Sequence, residues 1–340
     1  MSQSNCRSLY QRSKSIRLTM EVKRVELKGK FAVVAGSGGS MPQKSVKPPW
    51  LDRTSFPFRS RFIEIDGNTV HYIDEGSGPV LLLLHGNPTY SFLYRHIVRI
   101  LSPHFRCIAL DYPGFGLSSE GPGYSFKPRQ HSDVVEKFVL ALRLQEMRLM
   151  VQDWGGPIGL GFAGRHPELV HSLFIGNTWA WPAQDVKHMA RFSRVVGSPI
   201  GGFLIERFNL FVNRLLPNGI NRKLSKAEMA AYRGPFPTPK SRRPLAILPR
   251  EILGSRDYLC EVENGLEGLF DKPVLLLWGD ADAAFTEHER KRFEQKFPGA
   301  VTCALQGSKH FIQECAPEQI CQAILLFEGS PMAVCASKES

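Results

Sequence analysis

Leu149-Met150-Val151-Gln152-Asp153-Trp154-Gly155-Gly156 is an apolar run that breaks into a polar residue, an acid, a tryptophan and two glycines. Its first half is short and hydrophobic on both faces, as a strand buried inside a parallel sheet is. The small residues after Asp153 then open a helix. Such a strand-to-helix turn, a nucleophile elbow, presents its central side chain at the top of a sheet with backbone N–H groups beside it. Here the central side chain is a carboxylate. An acid ahead of Gly-Gly also fits a plain helix N-cap, so the choice depends on what else converges on the same edge.

Working outward, similar runs recur at Val80–Leu84, Cys107–Leu110, Leu173–Ile175 and Val274–Trp278. Between two of them, Val134, Val135, Phe138, Val139 and Leu142 share one helical face. Strands separated by helices predict a doubly wound, mostly parallel α/β sheet. Two segments flanking Gly67-Asn68 read as a β-hairpin. The alternation fails over 183–257, which is rich in Phe, Arg and Pro and has helical patterns but no buried strand. We read it as a helical cap inserted in a main domain of 48–182 and 258–329. Residues 1–47 form a basic extension and 330–340 a C-terminal tail.

The 340 residues carry a formal charge of +11. Residues 1–50 hold ten Lys/Arg against Glu21 and Glu26, which leaves 33 against 30 in the other 290 residues. A nearly neutral remainder points to neither a nucleic-acid nor a membrane partner. No run of 18 apolar residues and no secretory signal appears. The Arg/Ser-rich start fits an organellar transit peptide, a disordered tail or a start placed too early, with Met20 and Met41 both available. Seven cysteines without a CxxC or a metal-ligand spacing read as reduced thiols, and the chain as cytoplasmic.

Two further loops follow predicted strands and so reach the carboxyl edge that bears Asp153. One is His85-Gly86-Asn87-Pro88. The other is Trp278-Gly279-Asp280-Ala281-Asp282, followed 28 residues after Asp282 by His310. The order nucleophile, acid, base makes His310 the candidate base, with Asp280 or Asp282 as its acid.

These motifs, together with Asp111-Tyr-Pro-Gly-Phe-Gly-Leu-Ser118, resemble those of haloalkane dehalogenases in the α/β-hydrolase superfamily. The likeness spans roughly residues 48–328, and Asn87 with Asp153-Trp154 is its most specific combination. It implies an α/β-hydrolase fold with a helical cap and hydrolysis of haloalkanes to alcohol and halide. Asp153 would displace halide and form an alkyl ester, which a water activated by His310 then opens, with Asp282 orienting the imidazole. The Trp-Gly-x-x-Asp spacing favours Asp282 over Asp280. Side-chain N–H groups of Asn87 and Trp154 would hold the halide, and the backbone N–H groups of the same residues the oxyanion. Some members carry the acid as Glu after the preceding strand, where this chain has Asn177-Thr178. In some, a cap tryptophan donates to halide; Trp179 and Trp181 precede the cap, and Asn87 is preferred.

The chemistry suits a carboxylate on its own terms. An acid attacking an ester would give a reactive anhydride, whereas displacement at saturated carbon gives an ester that water can open. The implied partners are a small haloalkane, water and halide, with no metal or cofactor; self-association is left open. The alternatives are an epoxide hydrolase, which shares the Asp nucleophile but needs cap tyrosines to protonate an alkoxide, and a catalytically silent binding protein of the same fold.

Overall fold

The computed structural model describes residues 47–329; the expectations for the N-terminal extension before Lys47 and for the tail fall outside them. The chain opens with strands β1 (Arg61–Ile65), β2 (Asn68–Glu75) and β3 (Val80–Leu84), followed by helix α1 (Arg95–Leu101) and β4 (Arg106–Leu110). Next come α2 (Pro128–Ala141), β5 (Met147–Asp153), α3 (Gly155–Arg165) and β6 (Val170–Thr178). A helical stretch then supplies α4 (Lys187–Val196), α5 (Pro199–Phe208), α6 (Lys226–Arg233), α7 (Arg243–Gly254) and α8 (Arg256–Gly265). The sheet resumes with β7 (Val274–Gly279), α9 (Glu287–Lys296) and β8 (Val301–Leu305), and α10 (Pro317–Gly329) ends the described chain.

The strands lie in the order β1-β2-β4-β3-β5-β6-β7-β8. Only the β1-β2 and β2-β4 pairings are antiparallel. The parallel part runs from β4 to β8 and is covered by helices, which is why its strands are apolar on both faces. Leu81, Leu82, Leu83 and Leu84 are all wholly buried, each contributing about 1.5–3 kcal/mol of transfer free energy. The hairpin turn sits one residue earlier than the sequence reading has it. Asp66 and Gly67 take positive φ and Ile65 pairs with Asn68, the Asp-Gly form of a two-residue turn matched to strand twist.

Two capping boxes fix helix starts near the site, Ser225 with Glu228 on α6 and Thr286 with Glu289 on α9. α4 and α5 pack on α7, whereas α8 packs on α3. No helix among the described residues is long and apolar enough to cross a membrane.

Candidate active site

β5 ends at Asp153 with φ +50°, and α3 begins two residues later. A non-glycine residue in the left-handed region is strained by roughly 1–3 kcal/mol, so its surroundings must hold it. They do so by close approach. A Cβ on Gly86 would lie 2.3 Å from Asp153 Oδ1, and one on Gly156 only 1.9 Å from Thr178 Oγ1. Neither position has room for a larger residue. The Thr178 hydroxyl donates to the Asp153 carbonyl at 2.5 Å, pinning the turn to the end of β6.

Asp153 is 9% exposed. The Asn87 backbone N–H donates to its Oδ1 at 2.7 Å, and His310 Nε2 stands 3.6 Å from its Oδ2. Asn87 follows β3, its peptide bond to Pro88 is cis, and its side-chain amide donates at 3.3 Å to the Leu245 carbonyl of α7. Trp154, 2% exposed, packs edge-on against Trp179 at 4.7 Å between centroids. Trp179 stacks on Phe285, and Phe285 in turn approaches the His310 ring. Trp181 is elsewhere, against Phe293 and beneath the Arg292 guanidinium. The Trp179 indole N–H is buried with no partner among the described residues.

The two candidate acids separate cleanly. Asp282 is buried and its Oδ2 lies 3.0 Å from His310 Nδ1. Asp280 is exposed and accepts from the Gly307 N–H at 2.7 Å, closing the turn that leads to His310. Asp282 is held on both oxygens: the Ala284 N–H donates to Oδ1, and the Asn177 side chain donates to Oδ2 at 2.9 Å. Asn177 also accepts from the Gly279 N–H and donates to its carbonyl. The sequence marks position 177 only by its missing carboxylate; in space it is a clamp on Asp282 from the neighbouring strand. Gln152 is a second residue the sequence reading passes over. Its amide donates to the His310 carbonyl at 3.0 Å and lies 3.3 Å from His310 Nε2.

Below the site, Asp111 accepts from the Ser91 and Leu117 N–H groups and pairs with His71. The Asp111–Ser118 turn is therefore a bracket beneath the site. Beyond the site, Glu314 on the short helix after His310 is buried against Arg95, Arg222 and Tyr232. Burial disfavours its charge, but Arg95 and its companions outweigh that and hold the carboxyl below its usual range.

His310 is the most strongly perturbed group of the site. Burial alone pushes its pKa down, but the charges of Asp282 and Asp153 outweigh that and hold it at about 10. A pKa raised from 6.5 stabilises the fold fully below pH 6.5, and this contribution is lost as the pH climbs toward 10. The wild-type melting temperature is therefore expected to fall more steeply across that window than that of His310→Gln. Equal slopes in parallel melts would contradict the coupling.

A model of the alpha/beta hydrolase fold matches residues 79–317. Haloalkane dehalogenase 2 of Mycobacterium tuberculosis is 43% identical over 276 residues, 81% of this chain and 96% of that protein. A cis-3-alkyl-4-alkyloxetan-2-one decarboxylase of Shewanella oneidensis is 31% identical, over 78% of this chain and 87% of its own. Among solved structures, haloalkane dehalogenase DbeA from Bradyrhizobium elkani superposes with a TM-score of 0.73 at 30% identity, covering 78% of this chain and 95% of that one. The chain belongs to the haloalkane dehalogenase family of the α/β-hydrolase superfamily.

Proposed function

We propose that this chain hydrolyses carbon–halogen bonds of small haloalkanes through an alkyl ester on Asp153. One observation carries the reading: the elbow bears a carboxylate, 3.6 Å from an imidazole that is itself backed by a buried aspartate. In the first step an Asp153 oxygen forms a bond to the halogen-bearing carbon as the carbon–halogen pair leaves with the halide. No proton is needed. Trp154 and Asn87 donate to the departing ion, whose charge develops only as the bond breaks.

Ester formation removes the negative charge of Asp153. Of the two carboxylates that keep His310 protonated, one is then gone, so its proton is released to solvent and the neutral imidazole can act as a base. His310 deprotonates a water that attacks the ester carbonyl, and the backbone N–H groups of Asn87 and Trp154 hold the oxyanion. Collapse expels the alcohol, protonated by His310, and restores Asp153. Asp282 fixes the imidazole tautomer throughout. The cap, taken as 183–257, contributes the Leu245 carbonyl that meets the Asn87 side chain.

Against an epoxide hydrolase stand the two tyrosines such an enzyme would draw on. Tyr232 donates to buried Glu314 and Tyr258 to the Pro157 carbonyl at 2.7 Å, so neither hydroxyl is available to an alkoxide. A cytoplasmic setting fits Cys107, Cys315 and Cys321, which form no disulfide among the described residues, as in a reducing compartment.

The test is halide release from 1-bromo- and 1-chloroalkanes, run beside an epoxide panel and a cis-3,4-dialkyloxetan-2-one. Bromide is the better leaving group, so faster release from the bromo compounds is expected. Removing one preorganised donor, by Asn87→Ala or Trp154→Phe, should slow release about a hundredfold. Trp179→Phe is the comparison, and an equal loss there would transfer the donor role to Trp179. Rapid epoxide opening or carbon dioxide release with bromoalkanes untouched would defeat the dehalogenase reading.

A further inference from the structure

Averaged over the main chain, the charges nearly cancel; in space they are sorted. Residues 187–250 hold thirteen Lys/Arg against Glu206 and Glu228, whereas the rest of the described chain holds 20 against 27 acids. Of those thirteen, only Arg222 reaches a carboxylate within ion-pair distance among the described residues. The cations of α4 and α5, which are Lys187, Arg191, Arg194 and Arg207, are all exposed.

The same two helices expose unusual apolar surface. They bury Met189, Ala190 and Ile205, yet leave Val195 62%, Ile200 73%, Phe203 61% and Phe208 58% exposed, with Phe192 and Leu204 partly so. Six large apolar side chains in a stretch of 17 residues are more than scattered surface hydrophobics. Beside Phe208 an open cavity of about 450 Å³ is lined by Arg207, by Arg233, whose Nε donates to Asn213 Oδ1, and by Arg242, whose N–H groups donate to the Phe236, Glu206, Arg207 and Pro237 carbonyls, with no acid among its lining residues. Asn209, also in its wall and 5% exposed, has a buried side-chain oxygen without a partner among the described residues.

We propose that the α4–α5 face of the cap docks on an anionic phospholipid bilayer, its apolar side chains entering the interface and the arginine-lined cavity receiving a headgroup phosphate. The charge selects this occupant. A second copy of the same face would set two strongly cationic surfaces against each other, and a nucleic acid would leave Ile200 and Phe203 without a partner. An apolar stripe fringed by Arg and Lys is the pattern of an interfacial helix, and each cation near an anionic surface strengthens binding several-fold. This revises the expectation of no membrane partner, which rested on a charge sum that hid its distribution.

The experiment is co-sedimentation of the full chain with vesicles of phosphatidylcholine alone and of phosphatidylcholine mixed with phosphatidylglycerol. Binding should require the anionic lipid. The triple variant Arg191→Gln/Arg194→Gln/Arg207→Gln is expected to weaken it about a hundredfold, and Ile200→Ser/Phe203→Ser about tenfold or more. Melting temperatures near that of the wild type show that both variants fold. Residues 1–46 carry nine Lys/Arg and are kept in every protein. If both variants bind like the wild type, the contact lies elsewhere and the proposal fails; it fails equally if neutral vesicles bind as well. If Ile200→Ser/Phe203→Ser instead dissolves an oligomer seen by sedimentation velocity and leaves vesicle binding intact, a second copy covers this face and the bilayer does not.

Discussion

His310→Phe is expected to release one equivalent of halide from a bromoalkane and then stop, with the enzyme heavier by the alkyl group. The reason lies in the division of labour within the site. Displacement needs only the ionised Asp153 and donors for the halide, and His310 serves neither. Hydrolysis needs a base beside the ester, and His310 Nε2, 3.6 Å from Asp153 Oδ2, is the group positioned for it. Phenylalanine keeps the ring that meets Phe285 and Phe311 but cannot take a proton. A rapid burst followed by intact-protein mass spectrometry separates the outcomes: sustained turnover at the wild-type rate would remove His310 from the reaction, and absence of the burst would move it into the first step.

Asp282→Asn is expected to lose three to four orders of magnitude in turnover, as happens when the orienting carboxylate of a comparable triad becomes an amide, while Asp280→Asn stays near the wild type. Asp282 Oδ2 accepts from both His310 Nδ1 and the Asn177 amide. An amide at 282 must set its NH₂ either at the Oδ2 position, where it loses both of these donors, or at the Oδ1 position, where it opposes the Ala284 N–H; in both cases the charge that holds the His310 proton is gone. Asp280 holds only the turn at Gly307 from the solvent side. Steady-state halide release on the two variants decides the matter, and the reverse order would give Asp280 the role.

What the sequence made legible was whatever depends on local pattern. Apolar runs such as Val80–Leu84 announce strands buried on both faces, and the loop that follows each run lands on the carboxyl edge; in this way Asp153, Asn87 and the 278–282 loop fall together from the sequence alone. What depends on strand pairing was not legible. Asn177 meets Asp282 only because β6 and β7 pair in register from Leu173 with Val274 onward, a match across about a hundred residues that no spacing encodes. Trp179 and Trp181 teach a related point. Two residues apart on a strand they would share a face, but β6 ends at Thr178 and the chain turns, so Trp179 joins the site while Trp181 packs beneath Arg292. The sorting of charge onto residues 187–250 was written in the sequence but disappeared in a sum over 290 residues.

The central claim, that the Asp153 carboxylate itself attacks carbon, is tested most directly by a single turnover with enzyme in excess in ¹⁸O-enriched water, followed by mass spectrometry of the peptide that contains Asp153 and of the alcohol. Attack by Asp153 sends one of its own oxygens out with the product and takes its replacement from solvent. The expected result is label in Asp153 and none in the alcohol. Label in the alcohol with an unlabelled Asp153 would mean that water attacks carbon directly, and the ester mechanism would be wrong.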